Sequence, residues 1–295
     1  MYDTEQDRLI QGMAGGGDFR IIAAQTTDTV ETAREILDLA PVATDALGRA
    51  LTGSLLLARL LDKSFRNQYV TLRFQGNGPL GVVIAEANVT GEARGWVENP
   101  VPVDASLDVQ RAIGGGIMTI IRGTPPLGKP YTSQVPLTGS GIAEEITHYL
   151  MRSEQIASAV LLGVMNKREG VSAAGGIIVQ AFPHASEEAV AKLEARIKEA
   201  PRLSALLDRM PIEEAVATVF HGFDYKQIDA SFNVPVTYTC QCSRERALAP
   251  LAIFSDLELG EMIRDGGTDV SCQFCGRKYH FDADDLLSLS PKHEA

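Results

Sequence analysis

The sequence predicts an α+β fold: an N-terminal mixed sheet packed with helices, a helical linker, and a small C-terminal domain organised around cysteines. Three observations lead there. Up to Phe182, apolar residues switch repeatedly between helical spacing and strict alternation. Beyond Phe182 the texture becomes charged and helical, without strand-like alternation. All four cysteines of the 295-residue chain lie beyond residue 239.

In chain order, residues 29–39 carry Val30, Ala33, Ile36 and Leu37 at helical spacing, and Pro41 follows, as expected past a helix end. Asp45 is expected to cap a longer helix carrying Leu47, Leu51, Leu55, Ala58 and Leu61. The period then becomes two: Val70, Leu72 and Phe74 alternate with Thr71, Arg73 and Gln75, a half-buried strand. Gly76-Asn77-Gly78-Pro79 is a turn into a second strand at Val82-Val83-Ile84. Further strands are expected at 93–97, 117–122, 131–137, 160–165 and 176–182, interrupted by a helix over 142–154 with Ile146, Tyr149 and Leu150 on one face. Residues 186–200 place Val190, Leu193 and Ile197 on one helical stripe, with Glu187 and Glu188 at the positive N-terminal end. Pro201 closes this helix, and Pro211 opens another through Val216 and Val219. From His221 to Thr239 the chain is polar and aperiodic. The expected division is 1–182 for the N-terminal domain, 183–232 for the linker and 233–295 for the cysteine domain.

Composition narrows the function. With 27 Lys+Arg against 38 Asp+Glu the net charge is −11, which repels a polyanion and argues against nucleic acid as partner. An anionic membrane surface is disfavoured for the same reason. Residues 1–8 are polar and acidic, unlike a secretory leader. The longest apolar stretch, 50–61, is broken by Thr52, Gly53 and Arg59 and is too short to span a bilayer. A cytoplasmic location is therefore expected, where thiols stay reduced and paired cysteines point to metal or redox chemistry.

The cysteines form two close pairs, Cys240-Gln-Cys242 and Cys272-Gln-Phe-Cys275. Two such pairs can converge on one tetrahedral ion, and zinc suits four soft thiolates. Gly276 permits the tight turn after Cys275, and Tyr279 and Phe281 are expected to cover the site. Four thiolates close the coordination shell, so zinc hydrolysis is not expected. The single residue between Cys240 and Cys242 is unusual and places two sulfurs side by side; a disulfide there would close a small, strained and easily reduced ring. Structural zinc contributes about 10–16 kcal/mol in small zinc-finger peptides. A short C-terminal segment with a small core should then unfold on metal loss, exposing Leu251, Ile253, Phe254, Leu257, Leu259, Met262 and Ile263. A permanently structural zinc ribbon that binds a fixed protein partner is a second reading, and a thiol–disulfide oxidoreductase a third.

At these residues the sequence resembles the 33 kDa chaperonins, redox-regulated heat-shock holdases. Cys240-Gln-Cys-Ser-Arg-Glu-Arg246 is similar to the family's first zinc motif, and Cys272-Gln-Phe-Cys-Gly276 with Tyr279 and Phe281 to its second. Gln75-Gly-Asn-Gly-Pro79, Tyr149-Leu-Met-Arg-Ser-Glu-Gln155 and Ala173-Ala-Gly-Gly176 look like its N-domain signatures, in order. The resemblance implies that Cys240, Cys242, Cys272 and Cys275 hold one Zn2+ when reduced. On oxidation by peroxide or hypochlorite under unfolding conditions they would form Cys240–Cys242 and Cys272–Cys275 disulfides and expel the metal. It further implies a non-enzymatic, ATP-independent chaperone, monomeric when reduced and a homodimer when oxidised, that holds unfolded client proteins. The absence of a Gly-x-x-x-x-Gly-Lys-Ser/Thr loop agrees with ATP independence.

Other features have plainer readings. Gly114-Gly-Gly116 is expected to be a bend before a strand, and Arg152 with Glu154 a structural ion pair at a helix end. His280 is expected beside the metal ligands rather than among them. Arg244, Arg246, Arg277 and Lys278 flank the cysteines and could temper a tetrathiolate's negative charge.

Overall fold

The computed structural model describes residues 6–61, 65–102, 107–126, 128–228 and 233–289. Most of the polar N-terminal segment and the last four residues of the expected linker lie outside the described residues. The chain forms two compact units, Met1–Thr239 and Cys240–Ala295.

The first unit begins with a hairpin, β1 (Arg8–Ala14) and β2 (Phe19–Gln25), paired from Arg8↔Gln25 to Ala14↔Phe19. Neither strand alternates in sequence, because both faces are buried and the pattern collapses into an apolar run. Helix α1 (Thr27–Leu37) follows, then α2 (Pro41–Ala58). Pro41 lies past the end of α1, as expected, and also opens α2, since a missing N–H costs nothing in a first turn. Asp45 is therefore not a cap: it lies one turn inside α2 and accepts a 2.6 Å bond from Arg49. Fifteen of the eighteen residues of α2 are buried, so the helix is apolar nearly all round and forms the centre of the unit.

Strands β3 (Tyr69–Gly76), β4 (Val82–Asn88) and β5 (Glu92–Val97) form an antiparallel meander. Helix α3 (Val109–Ile113) leads through the Gly114 bend into β6 (Gly116–Gly123) and β7 (Tyr131–Pro136). Helix α4 (Ile142–Ser153) precedes the long hairpin β8 (Ser158–Lys167) and β9 (Gly170–Ala181). Next come α5 (Glu187–Glu199), α6 (Leu203–Leu207) and α7 (Ile212–Val219). The aperiodic segment holds three two-residue strands, β10 (Lys226–Gln227), β11 (Val234–Pro235) and β12 (Thr237–Tyr238).

Two sheets result. The first runs β10-β1-β2-β9-β8, with β11 also on β1; the second runs β12-β5-β4-β3-β6-β7. Helix α2 packs against both, sharing a core with Ile22 and Ile178 of the first sheet and Leu72, Phe74 and Ala85 of the second. The opposite face of the first sheet, with Ile21, Ala23, Ile177 and Val179, is covered by Leu193, Leu203, Ile212 and Val216 of α5 to α7.

The second unit contains α8 (Arg244–Leu248), α9 (Asp256–Arg264), the hairpin β13 (Thr268–Ser271) with β14 (Lys278–Phe281), and α10 (Ala283–Leu287). Ser255 with Glu258 and Asp282 with Asp285 close capping boxes at the starts of α9 and α10. Its buried core is small: Leu251, Leu259, Phe281 and Leu286. Three residues expected to become exposed on unfolding are already exposed in the folded unit, Ile253 at 85%, Leu257 at 70% and Phe254 at 38%.

Candidate metal centre

Strand β13 delivers Cys272 at its end, and the loop to β14 turns back through Gly276 at φ +68°. The Gly276 amide donates to the Cys272 carbonyl at 2.8 Å, and the Cys272 amide to the Arg277 carbonyl at 2.9 Å. The turn thus holds Cys275 against Cys272 by main-chain bonds alone. The Cys240–Cys242 segment is held otherwise. Arg246 of α8 donates to the Gln241 carbonyl at 2.7 Å, and the Ser243 side chain caps α8 by accepting from the Arg246 amide.

The two segments meet. All four Sγ atoms lie within 4.8 Å of one another, with Cys240 to Cys272 at 3.6 Å and Cys242 to Cys275 at 3.4 Å. Sulfurs of a tetrahedron with arms of roughly 2.3 Å stand roughly 3.8 Å apart. The donor set and spacing fit a single zinc-like ion. All four cysteines are free thiols and half-buried.

The surroundings treat the sulfurs unequally. The Tyr279 hydroxyl donates to Cys242 Sγ at 3.2 Å and holds that thiol down at about 7. Burial pushes Cys275 up to about 12 and raises Cys240. Arg277 lies beside Tyr279 and feels the charge of Cys242 and Cys275. Negative charge on Cys242 is thus favoured by Tyr279 and Arg277.

The other flanking residues do different work. Arg244 pairs with Asp285 and lies 4.7 Å over the Phe281 ring, tying α8 to β14 and α10. Phe281 is fully buried in the unit's core. His280 points to Asp269 at 2.8 Å across the β13–β14 pair and is not among the clustered ligands. In the first unit, Glu154 pairs with Arg122 of β6 at 3.0 Å, not with Arg152, and accepts from the buried Tyr149 hydroxyl at 2.6 Å. Sequence reading could not see this, because the partner is distant in the chain.

A two-sheet α+β unit followed by a compact unit with four clustered thiols defines a class: α+β proteins whose small domain carries a cysteine cluster able to hold a metal ion. Comparison with known proteins is more specific. The profile of the family described as Hsp33 protein matches residues 7–282. A 33 kDa chaperonin of Thermus thermophilus is 45% identical over 96% of this chain and 86% of its own length. Those of Levilactobacillus brevis and Deinococcus radiodurans are each 37% identical, over 98% and 95% of this chain and 99% and 97% of theirs. The crystal structure of the 33 kDa chaperonin (heat shock protein 33 homolog) of Thermotoga maritima superposes with a TM-score of 0.84 at 31% identity, covering 97% of this chain and 98% of that one. The chain belongs to the Hsp33 family of 33 kDa chaperonins, a family of stress-response chaperones. Among the described residues no helix is long and apolar enough to cross a membrane.

Proposed function

We propose that this chain is a redox-regulated, ATP-independent holdase whose switch is the cluster Cys240, Cys242, Cys272 and Cys275. The observation that carries the reading is the convergence of four sulfurs within 4.8 Å in a unit whose own buried core is four side chains. Zinc, when bound there, supplies the cross-link that joins Cys240 and Cys242 to the β13–β14 turn. The chain's residues do the rest. Capping boxes order the helices only locally, the Arg244–Asp285 pair that ties α8 to α10 is exposed, and such contacts contribute about 1 kcal/mol or less each. Without the sulfur cross-link the unit has too little apolar burial to stay folded.

Oxidation acts on the sulfurs. In each pair, Cys240–Cys242 and Cys272–Cys275, two thiolates lose two electrons to one peroxide, which takes up two protons from solvent and leaves as two waters, while the metal they held is released. The Tyr279 hydroxyl bonds Cys242 and Arg277 lies beside it, so Cys242 is the sulfur whose negative charge these residues favour. The apolar side chains of 233–295, and those that the 183–232 helices present, then become available to unfolded clients in the cytoplasm. The oxidised form is proposed to dimerise and the reduced form to be monomeric. The sequence holds no complete Gly-x-x-x-x-Gly-Lys-Ser/Thr loop, since Pro130 follows Gly128-Lys129, which agrees with clients being held without nucleotide.

The test is direct. Purified protein is treated with peroxide at heat-shock temperature, and zinc release, disulfide mapping, sedimentation and suppression of client aggregation are followed together. Stoichiometric zinc release with a gain in suppression is expected. Zinc retained with no gain would overturn the reading in favour of a constitutive zinc module, and turnover in an insulin-reduction assay would point instead to an oxidoreductase.

A further inference from the structure

Residues 226–228 and 233–239 lie along the edges of both sheets. Lys226 and Gln227 pair with Met13 and Gly12, and Val234 and Pro235 with Leu9 and Arg8. The chain then changes sheet, and Thr237 and Tyr238 pair in parallel with Glu92 and Ala93. Four amides of the segment donate to the edges: Ile228 to Gln11, Val236 to Asp7, Thr237 to Gly91 and Thr239 to Ala93, at 2.8–3.1 Å. It is a strap over strand edges that would otherwise present unpaired main-chain groups.

Two features make the strap a weak occupant of a longer site. Its strands are two residues each, against the usual five or six. At β5 the outward groups alternate through Gly91, Ala93 and Gly95, but the strap's backbone serves only the first two. At Gly95 a side chain takes over: the Tyr238 hydroxyl donates to the Gly95 carbonyl at 2.9 Å and lies 3.5 Å from its amide. Gly91, at φ +90°, lets the strap approach so closely that a Cβ there would stand 2.1 Å from the Pro235 carbonyl. Among the described residues of the strap only Val236 is deeply buried, at 4% exposure.

We propose that the β5 edge from Gly91 to Val97, together with the β1 edge, is a strand-accepting site for extended, unfolded polypeptide, closed in the resting chain by its own residues 226–228 and 233–239. Thr239, the last bonded residue of the strap, is joined directly to Cys240, so disorder at the sulfur cluster reaches the strap with no intervening linker. Main-chain pairing is indifferent to sequence, which suits a site that must take many unrelated segments. The strap stays tethered and competes for the same edge, so reordering of the cluster displaces the guest without nucleotide. This rests on the redox-holdase reading and names the surface that reading leaves open.

The experiment uses the full chain and a soluble, Lys-tailed Thr-Val peptide, beside its N-methylated counterpart, which keeps the side chains and lacks main-chain donors. Oxidised protein is expected to bind the peptide at least about tenfold more tightly than the counterpart, since each lost main-chain bond weakens pairing several-fold. Hydrogen exchange should rise at 234–239 on oxidation and fall again along β5 when peptide is added. Tyr238→Ala, and as a second opening variant Val236→Asp, should bind peptide while reduced, with zinc content unchanged. Equal binding of the two peptides, or an oxidised chain that suppresses aggregation while 234–239 stays protected, overturns the edge site and leaves the redox reading standing. Peptide capture by the reduced variants, in a parent that oxidation does not activate, keeps the edge site and removes the redox reading.

Discussion

Asp7 is buried to 4% exposure, yet only one of its oxygens is bonded, accepting from the Thr29 amide in the first turn of α1 at 2.7 Å. It serves α1 as a cap brought from outside the helix, since the Thr26 side chain makes no such bond. Burial outweighs that bond and pushes the carboxyl up to about 6 from 3.8. The folded chain therefore holds the proton more readily than the unfolded one. Its charge costs stability above about pH 6, and the cost disappears as pH falls towards 3.8. A shift of about two units corresponds to about 2–3 kcal/mol. Asp7→Asn, which keeps an acceptor for Thr29, is expected to gain in melting temperature relative to the parent as pH rises from 4 to 7. Parallel pH profiles for the two proteins would show that Asp7 carries no such charge.

At the scale of elements, the sequence is most legible where one face is wet. The alternation at 70–75 and the helical stripes at 142–154 and 186–200 each correspond to an element, because solvent imposes polar residues on one side. Strands β1 and β2 were illegible for the opposite reason: a strand buried between α2 and α5–α7 has no polar face to mark its period. The strap β10–β12 was illegible because its role is to cap edges with main-chain bonds, which leave no trace in side-chain pattern. Helices α5 to α7 show how far local amphipathicity reaches. Their apolar stripe is visible in sequence, but its partner, Ile10, Ile21 and Val179 on the sheet, is not. Ile212 is fully buried at that junction, so Ile212→Ala should cost about 2–5 kcal/mol in the first unit's unfolding. Zinc content should be unchanged. A change below about 1 kcal/mol in chemical denaturation would mean that these helices dock too loosely to share the core.

On the scale of the whole molecule, the clustering of the four sulfurs was legible, because residue identity and spacing are properties of sequence. The supports were less so: Tyr279 was expected as a cover and instead bonds Cys242, while Arg246 grips Gln241 through a main-chain carbonyl that no side-chain pattern advertises. The two units should differ in what keeps them folded. In the first, α2 is buried against two sheets, and a core of this size needs no metal. In the second, four buried side chains and a set of caps leave the sulfur cluster as the main constraint. Treatment with a chelator under reducing conditions, where no disulfide can form, separates the contribution of the proposed zinc from that of oxidation. Amides of α8 to α10 and of the β13–β14 hairpin are then expected to lose hydrogen-exchange protection, while those of α2 keep theirs. The effect should reverse on adding zinc. Protection retained in the second unit after complete metal removal would mean that Leu251, Leu259, Phe281 and Leu286 hold it alone, and a switch based on metal release would then have nothing to unfold.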